Sequence, residues 1–258
     1  MEFLDVTLSA ERPSRSGYEE DEILTEDELE YGTRLQSATK RQFAVEMSRD
    51  ATTQSILVAA DMTSSVFVQS LLALDANASN DVGCIRCVET RAVKGCIGVC
   101  PAIGQVVVYL LEECAPDDAN ALADALVSSF SNETEWTILT ALRRVSSATM
   151  HLDSDAQVPY LRSLVTSAAS FPGKNATLLE IPNMLSFLDA ALLSRLEMLR
   201  KKAIVLGSLM PQAGDGPDVL VESINAFGRH LCIPDNDQLQ KEIYKRIRGS
   251  FSPNILFV

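Results

Sequence analysis

The chain has 258 residues, 47% of them hydrophobic and 22% charged, and carries a net charge of −13. That balance describes a globular protein with a sizeable core, which needs neither disulfide nor metal to fold. It excludes the basic footprint that nonspecific nucleic-acid or anionic-membrane binding requires, and no apolar run approaches the ~18 residues of a membrane span.

Residues 1–30 hold eleven acids and two bases, a net −9, which leaves only −4 for everything that follows. The runs Glu19-Glu20-Asp21-Glu22 and Glu26-Asp27-Glu28-Leu29-Glu30 are too polar to bury a core. Residues 1–45 therefore read as an acidic, largely disordered segment, either a solvating tail or a contact for a basic partner. Overlapping its end, residues 31–49 read as a helix or an ordered lead-in. Glu2, Asp5 and Glu11 stand where a secretory leader carries lysine or arginine. The expectation is a cytosolic or nuclear protein whose six cysteines are reduced thiols. The acceptor triplets at Asn77, Asn132 and Asn175 then read as chance matches.

From residue 54 the pattern turns α/β. Ile56-Leu-Val-Ala-Ala60 is a short apolar run of the kind a buried strand shows. Asp61 or Thr63 can cap the next element, where Val66, Phe67, Ser70, Leu71 and Leu74 form a helical stripe. Residues 82–88, 93–99 and 106–112 read as strands joined by tight turns, so this part of the sheet is expected to be antiparallel. Pro116-Asp117-Asp118 starts a helix through Leu122, Leu126, Val127 and Phe130. Residues 136–142 read as a strand, 145–157 as a long polar loop, and 160–165 as helical.

The longest periodic segment opens near Pro182-Asn183 and runs to Lys202, with Met184, Leu185, Leu188, Leu192, Leu196 and Leu199 on one stripe. Arg200, Lys201 and Lys202 close it, where positive charge suits the carboxyl end of a helix. Residues 203–209 return as a strand. Pro217 starts a helix with Val219, Leu220, Ile224, Phe227 and Leu231. A last helix, 237–248, repeats Leu239, Ile243 and Ile247 on one face. Asp237 and Gln240 fit a capping box at its start, and Gly249 fits the left-handed position after its end. The expected organisation is a three-layer α/β domain over residues 46–249, with a mixed central sheet flanked by helices, followed by an extended arm at 250–258.

The candidate chemistry is sparse. Cys84-Ile-Arg-Cys87 and Cys96-Ile-Gly-Val-Cys100 superficially match a four-thiolate zinc site, but only eight residues separate the pairs and the second is one residue too wide. Zinc ribbons usually leave about 15–20 residues between pairs. Buried core thiols, a metal site and a redox pair are the three readings, the first favoured by strand packing. The two histidines, His151 and His230, have no nucleophile motif beside them, and His230 reads as a helix-end residue. Gly95, Gly98 and Gly104 do not form a GxGxxG fingerprint. Asp61, Glu89, Glu112 and Glu113 show no paired arrangement. No catalytic residue, metal or cofactor is assigned.

The carboxyl terminus is the remaining lead: Ser250-Phe-Ser-Pro-Asn-Ile-Leu-Phe-Val258. Pro253 favours an extended path, and nine residues reach at most about 30 Å. Such an apolar end either packs on its own domain or docks on a partner, a PDZ-type groove included.

Several segments resemble the proteasome assembly chaperone 1 family: Arg34-Leu-Gln-Ser-Ala-Thr-Lys-Arg-Gln42 behind an acidic head, the strand-helix unit at 56–72, Trp136-Thr-Ile-Leu139, Val158-Pro-Tyr-Leu-Arg-Ser-Leu164, Leu179-Glu-Ile-Pro-Asn-Met184 and the short final arm. The resemblance implies a non-enzymatic protein that pairs with proteasome assembly chaperone 2, a related α/β protein. The heterodimer would bind the outer face of the 20S proteasome α-ring and promote its correct assembly. It further implies a hydrophobic–tyrosine–any-residue ending that enters pockets between neighbouring α subunits. Here those positions are Leu256, Phe257 and Val258, and Phe257 lacks the tyrosine hydroxyl.

Overall fold

The computed structural model describes residues 41–47, 54–75, 77–142, 161–170, 177–179, 185, 187–210, 217–233 and 237–250. Contacts divide the chain into residues 1–39 and residues 40–258, and every described residue belongs to the second unit. The elements run β1 (Phe43–Met47), β2 (Ser55–Ala59), α1 (Met62–Leu74), β3 (Ser79–Cys87), β4 (Val93–Cys100) and β5 (Gln105–Leu110). A single 3₁₀ turn, Pro116–Asp118, leads into α2 (Ala119–Ser129) and β6 (Glu135–Leu142). Then come β7 (Leu161–Val165), β8 (Thr177–Leu178), α3 (Phe187–Met198), β9 (Ala203–Leu209), α4 (Pro217–His230) and α5 (Asp237–Ser250).

One nine-stranded sheet has the order β1-β3-β4-β5-β2-β6-β9-β7-β8. Its inner strands β5, β2, β6 and β9 are parallel. Ile56, Leu57 and Val58 of β2 are wholly buried, as a strand covered on both faces must be. β3, β4 and β5 form the expected antiparallel hairpins. Helices α1, α4 and α5 cover one face, with Phe67 and Phe227 meeting edge to face at 5.7 Å. Helices α2 and α3 cover the other, where Phe130 meets Trp136 in the same way. The architecture is the mixed-sheet, three-layer α/β class.

Several local expectations are corrected. Part of the segment 31–49 is a strand, because Phe43, Val45 and Met47 alternate onto the core and pair with β3. Residues 161–165 form strand β7, antiparallel to β9, not a helix. The buried Arg162 and Ser163 hide its alternation, and five residues gain more from a ladder than from one helical turn. Helix α3 stops at Met198, four residues short of Lys202. Arg200 takes a positive φ of 52°, which turns the chain so that Lys201 points inward and Lys202 lies outside. Conversely, α5 runs through Gly249 to Ser250, and the left-handed glycine among the described residues is Gly104 instead. Asp237 is the first residue of α5 rather than its cap. The segments 1–40 and 143–160, the opening at Pro182-Asn183 and residues 251–258 lie outside the described residues.

Candidate functional site

Helix α5 is the last described element and leads directly into the carboxyl-terminal segment. Leu239, Ile243 and Ile247, spaced by four, turn to the core and are almost wholly buried beside α1 and α4. Burying each of them is worth roughly 2 kcal/mol. Arg246 Nη1 donates to Gln69 Oε1 on α1 at 3.0 Å, a further tie to the body. Along the same half-buried flank Glu242 pairs with Arg246 and with the exposed Lys245, and Arg248 lies over the Tyr244 ring while donating to its hydroxyl at 2.6 Å. The helix therefore holds Ser250 at a fixed point of the fold. Leu256, Phe257 and Val258 lie outside the described residues, so their contacts are not part of the geometry.

The structure also assembles polar residues that the sequence leaves unpaired. Asp61 caps α1, accepting from Ser64 N at 2.8 Å, while Ser64 Oγ accepts from Asp61 N. Its second carboxylate oxygen accepts from Ala141 N of β6 at 2.5 Å. Thr140, also hydrogen-bonded to Asp61, donates its hydroxyl to Asp189 of α3 at 2.8 Å. Burial pushes the Asp61 pKa up, opposed by these hydrogen bonds. This chain of groups pins the start of α1, the end of β6 and the first turn of α3 together. Its signal in the sequence is slight: one threonine in an apolar strand and one aspartate on an apolar helical stripe. Glu112 meanwhile pairs with Lys94, and Glu89 accepts from Gln42 N at 2.8 Å.

Lys201 is 5% exposed, and burial pushes its pKa down. Its ammonium donates to Val127 O at 3.3 Å, in the last turn of α2, and to Ser131 O at 3.4 Å, two residues past its end. The basic residue expected to close its own helix thus closes a neighbouring one.

The cysteines do not converge. Cys84 and Cys87 are three apart on one strand and point to opposite faces, whereas Cys84 stands directly opposite Cys96. All six thiols are free, and among the described residues no group of three or more cysteines, histidines or acids could hold a metal. Burial raises the thiol pKa of Cys84 and Cys100, and takes that of Cys114 to about 11, helped by Asp118 and Glu113. These are protonated thiols at neutral pH, not poised nucleophiles. His230 ends α4 half-buried, with its pKa lowered by burial. His151 lies outside the described residues.

No family model matches the chain, and no curated protein matches it in sequence. Solved structures do. PbaA of Pyrococcus furiosus, an archaeal homologue of proteasome-assembly chaperone, matches 80% of this chain and 95% of its own at a TM-score of 0.57 and 12% identity. PbaB of the same organism, an archaeal proteasome activator, matches 81% and 96% at 0.53 and 11%. A Thermoplasma acidophilum protein of unknown function matches 78% and 88% at 0.50 and 8%. The chain has the fold of the archaeal assembly-chaperone homologue. At these identities the likeness is one of architecture.

Proposed function

We propose that this chain is a proteasome assembly chaperone of the cytosol and nucleus. It acts without catalysis, as a heterodimer with proteasome assembly chaperone 2. The heterodimer binds the outer face of the 20S α-ring and promotes its correct assembly. The observation that carries this reading is the fold shared with PbaA over four fifths of the chain. It is joined by an apolar final sequence that follows the firmly seated α5 in the chain.

In this reading Leu256 and Phe257 enter an inter-subunit α pocket and the Val258 carboxylate meets a cationic group. Burying the two side chains contributes about 2–5 kcal/mol, and the charge-assisted contact about 1.5–3 kcal/mol. Ordering eight residues offsets most of that, so one tail alone binds weakly. A second tail on the partner and contacts from both bodies raise the avidity by about 10²–10⁴. The test is deletion of residues 256–258 followed by measurement of both complexes. The expected outcome is at least tenfold weaker α-ring binding with the heterodimer unchanged. Unaltered α-ring affinity would refute the tail's role.

A further inference from the structure

The two edges of the sheet differ. β8 offers two residues, whereas β1 offers five, and among the described residues nothing pairs with its outer side. Val88 N donates to Gln42 O at 2.8 Å across the β1–β3 ladder, while Cys87 N points away to Ala92 O at 3.0 Å. Antiparallel pairs alternate, so Ala44 with Arg86 and Glu46 with Cys84 form the hydrogen-bonded pairs. The backbone N–H and C=O groups of Phe43, Val45 and Met47 therefore face outward.

An open edge in a soluble protein is ordinarily blunted by proline, a bulge or an uncompensated charge. β1 has no proline and an unbroken register with β3. Its one charge, Glu46, is neutralised by Arg86 at 2.8 Å. The two sides of the edge have different chemistry. On the α2 side Phe43, Val45 and Met47 remain only partly buried against the core. On the opposite side Ala44, Glu46, Arg86, Val88 and Arg91 line a shallow groove, with Val88 49% exposed. Arg86 Nη1 spends one donor on Arg91 O, and the Arg91 guanidinium itself has no partner among the described residues.

We propose that the outer edge of β1 receives an extended strand of the partner subunit, in which apolar residues alternate with acidic ones. Its apolar residues continue the Phe43–Val45–Met47 face, its acids meet Arg91 and the spare donors of Arg86, and its backbone completes the ladder. The inference rests on the heterodimer reading above and names the surface that reading leaves open.

The test uses the full chain co-purified with proteasome assembly chaperone 2, with the heterodimer dissociation constant measured by dilution and mass photometry. Val45→Pro removes one outward N–H and leaves the β1–β3 ladder intact, since proline is tolerated on an edge. Val45→Thr keeps the N–H and the branched shape. Arg91→Asp reverses the groove's charge at a residue with φ of 57°, where aspartate is among the better-tolerated side chains. Val45→Pro and Arg91→Asp are each expected to weaken the heterodimer at least tenfold, and Val45→Thr less than about threefold. Circular dichroism checks folding, and if Val45→Pro unfolds, the exposed Arg91→Asp decides. A heterodimer unaffected by Arg91→Asp, or by a folded Val45→Pro, overturns the edge assignment while leaving the heterodimer itself standing. If the unaltered chain forms no heterodimer, the partner reading fails and the proposal with it. Self-association of the chain lost in Val45→Pro identifies a second copy as the occupant, which also overturns it.

Discussion

Helices α3 and α5 lie on opposite faces of the sheet and bury the same kind of stripe. α3 turns Leu188, Leu192 and Leu196 inward, and α5 turns Leu239, Ile243 and Ile247. Their ends behave in opposite ways. The basic run Arg200-Lys201-Lys202 reads as the close of a long helix, yet α3 stops at Met198 and Lys201 turns away to cap α2. Gly249 reads as a stop, yet α5 passes through it. The stripe is fixed by hydrophobic burial, worth several kcal/mol along a helix, whereas an end signal is worth about one and yields to its surroundings. The two helices also differ in their polar contacts. α3 carries a buried carboxylate, Asp189, while the charges of α5 pair with one another along its half-buried and exposed flank.

Matched truncations test whether the two stripes are equivalent. Leu192→Ala and Ile243→Ala each remove a wholly buried side chain, and each should cost about 3 kcal/mol in denaturant unfolding. A cost below about 1 kcal/mol for Ile243→Ala alone would mean that α5 detaches locally and is not a fixed base for the tail.

The buried polar contact of α3 should be the next largest effect. Thr140→Val removes the hydroxyl that donates to Asp189 and leaves that buried carboxylate short of a donor, at an expected cost of about 2 kcal/mol. The same cluster should give the protein a pH signature. The folded-state pKa of Asp61 is raised above the ordinary aspartate value, so between those two values the native state binds more protons than the unfolded one. Asp61 therefore makes stability fall as pH rises through that window. Unfolding titrations across mildly acidic pH should show this slope, and Asp61→Asn should flatten it. An identical slope in the variant would remove Asp61 as its source.

What the sequence conveys divides along the same lines. The apolar runs of β2, β6 and β9, the hairpins from β3 to β5 and the stripes of α1, α3 and α5 follow from periodicity, because burial dominates their energetics. β7 escapes because Arg162 and Ser163 occupy buried positions, so its pattern contains no alternation to read. The Asp61–Thr140–Asp189 contact escapes for another reason. It joins residues 49 and about 80 positions apart, and no local rule relates them. Leu256, Phe257 and Val258, the residues proposed to dock, are legible only as an unusual ending. In that proposal their partner is another molecule, which neither periodicity nor the fold of this chain specifies.

Gly249 gives the smallest effect, but one whose sign is decisive. As a left-handed terminator it would reject a side chain, and alanine there would destabilise by about 1 kcal/mol. In the structure it is helical, and a Cβ built on it meets nothing within 4 Å. Alanine then restricts the unfolded chain without straining the folded one, so Gly249→Ala should stabilise by about 0.5–1 kcal/mol. The midpoint of thermal unfolding should rise accordingly. If residues 256–258 dock as proposed, α-ring binding should stay unchanged, because the substitution lies within α5 and not among them. A lowered midpoint would restore the left-handed stop at Gly249 and shorten the helical base of the tail.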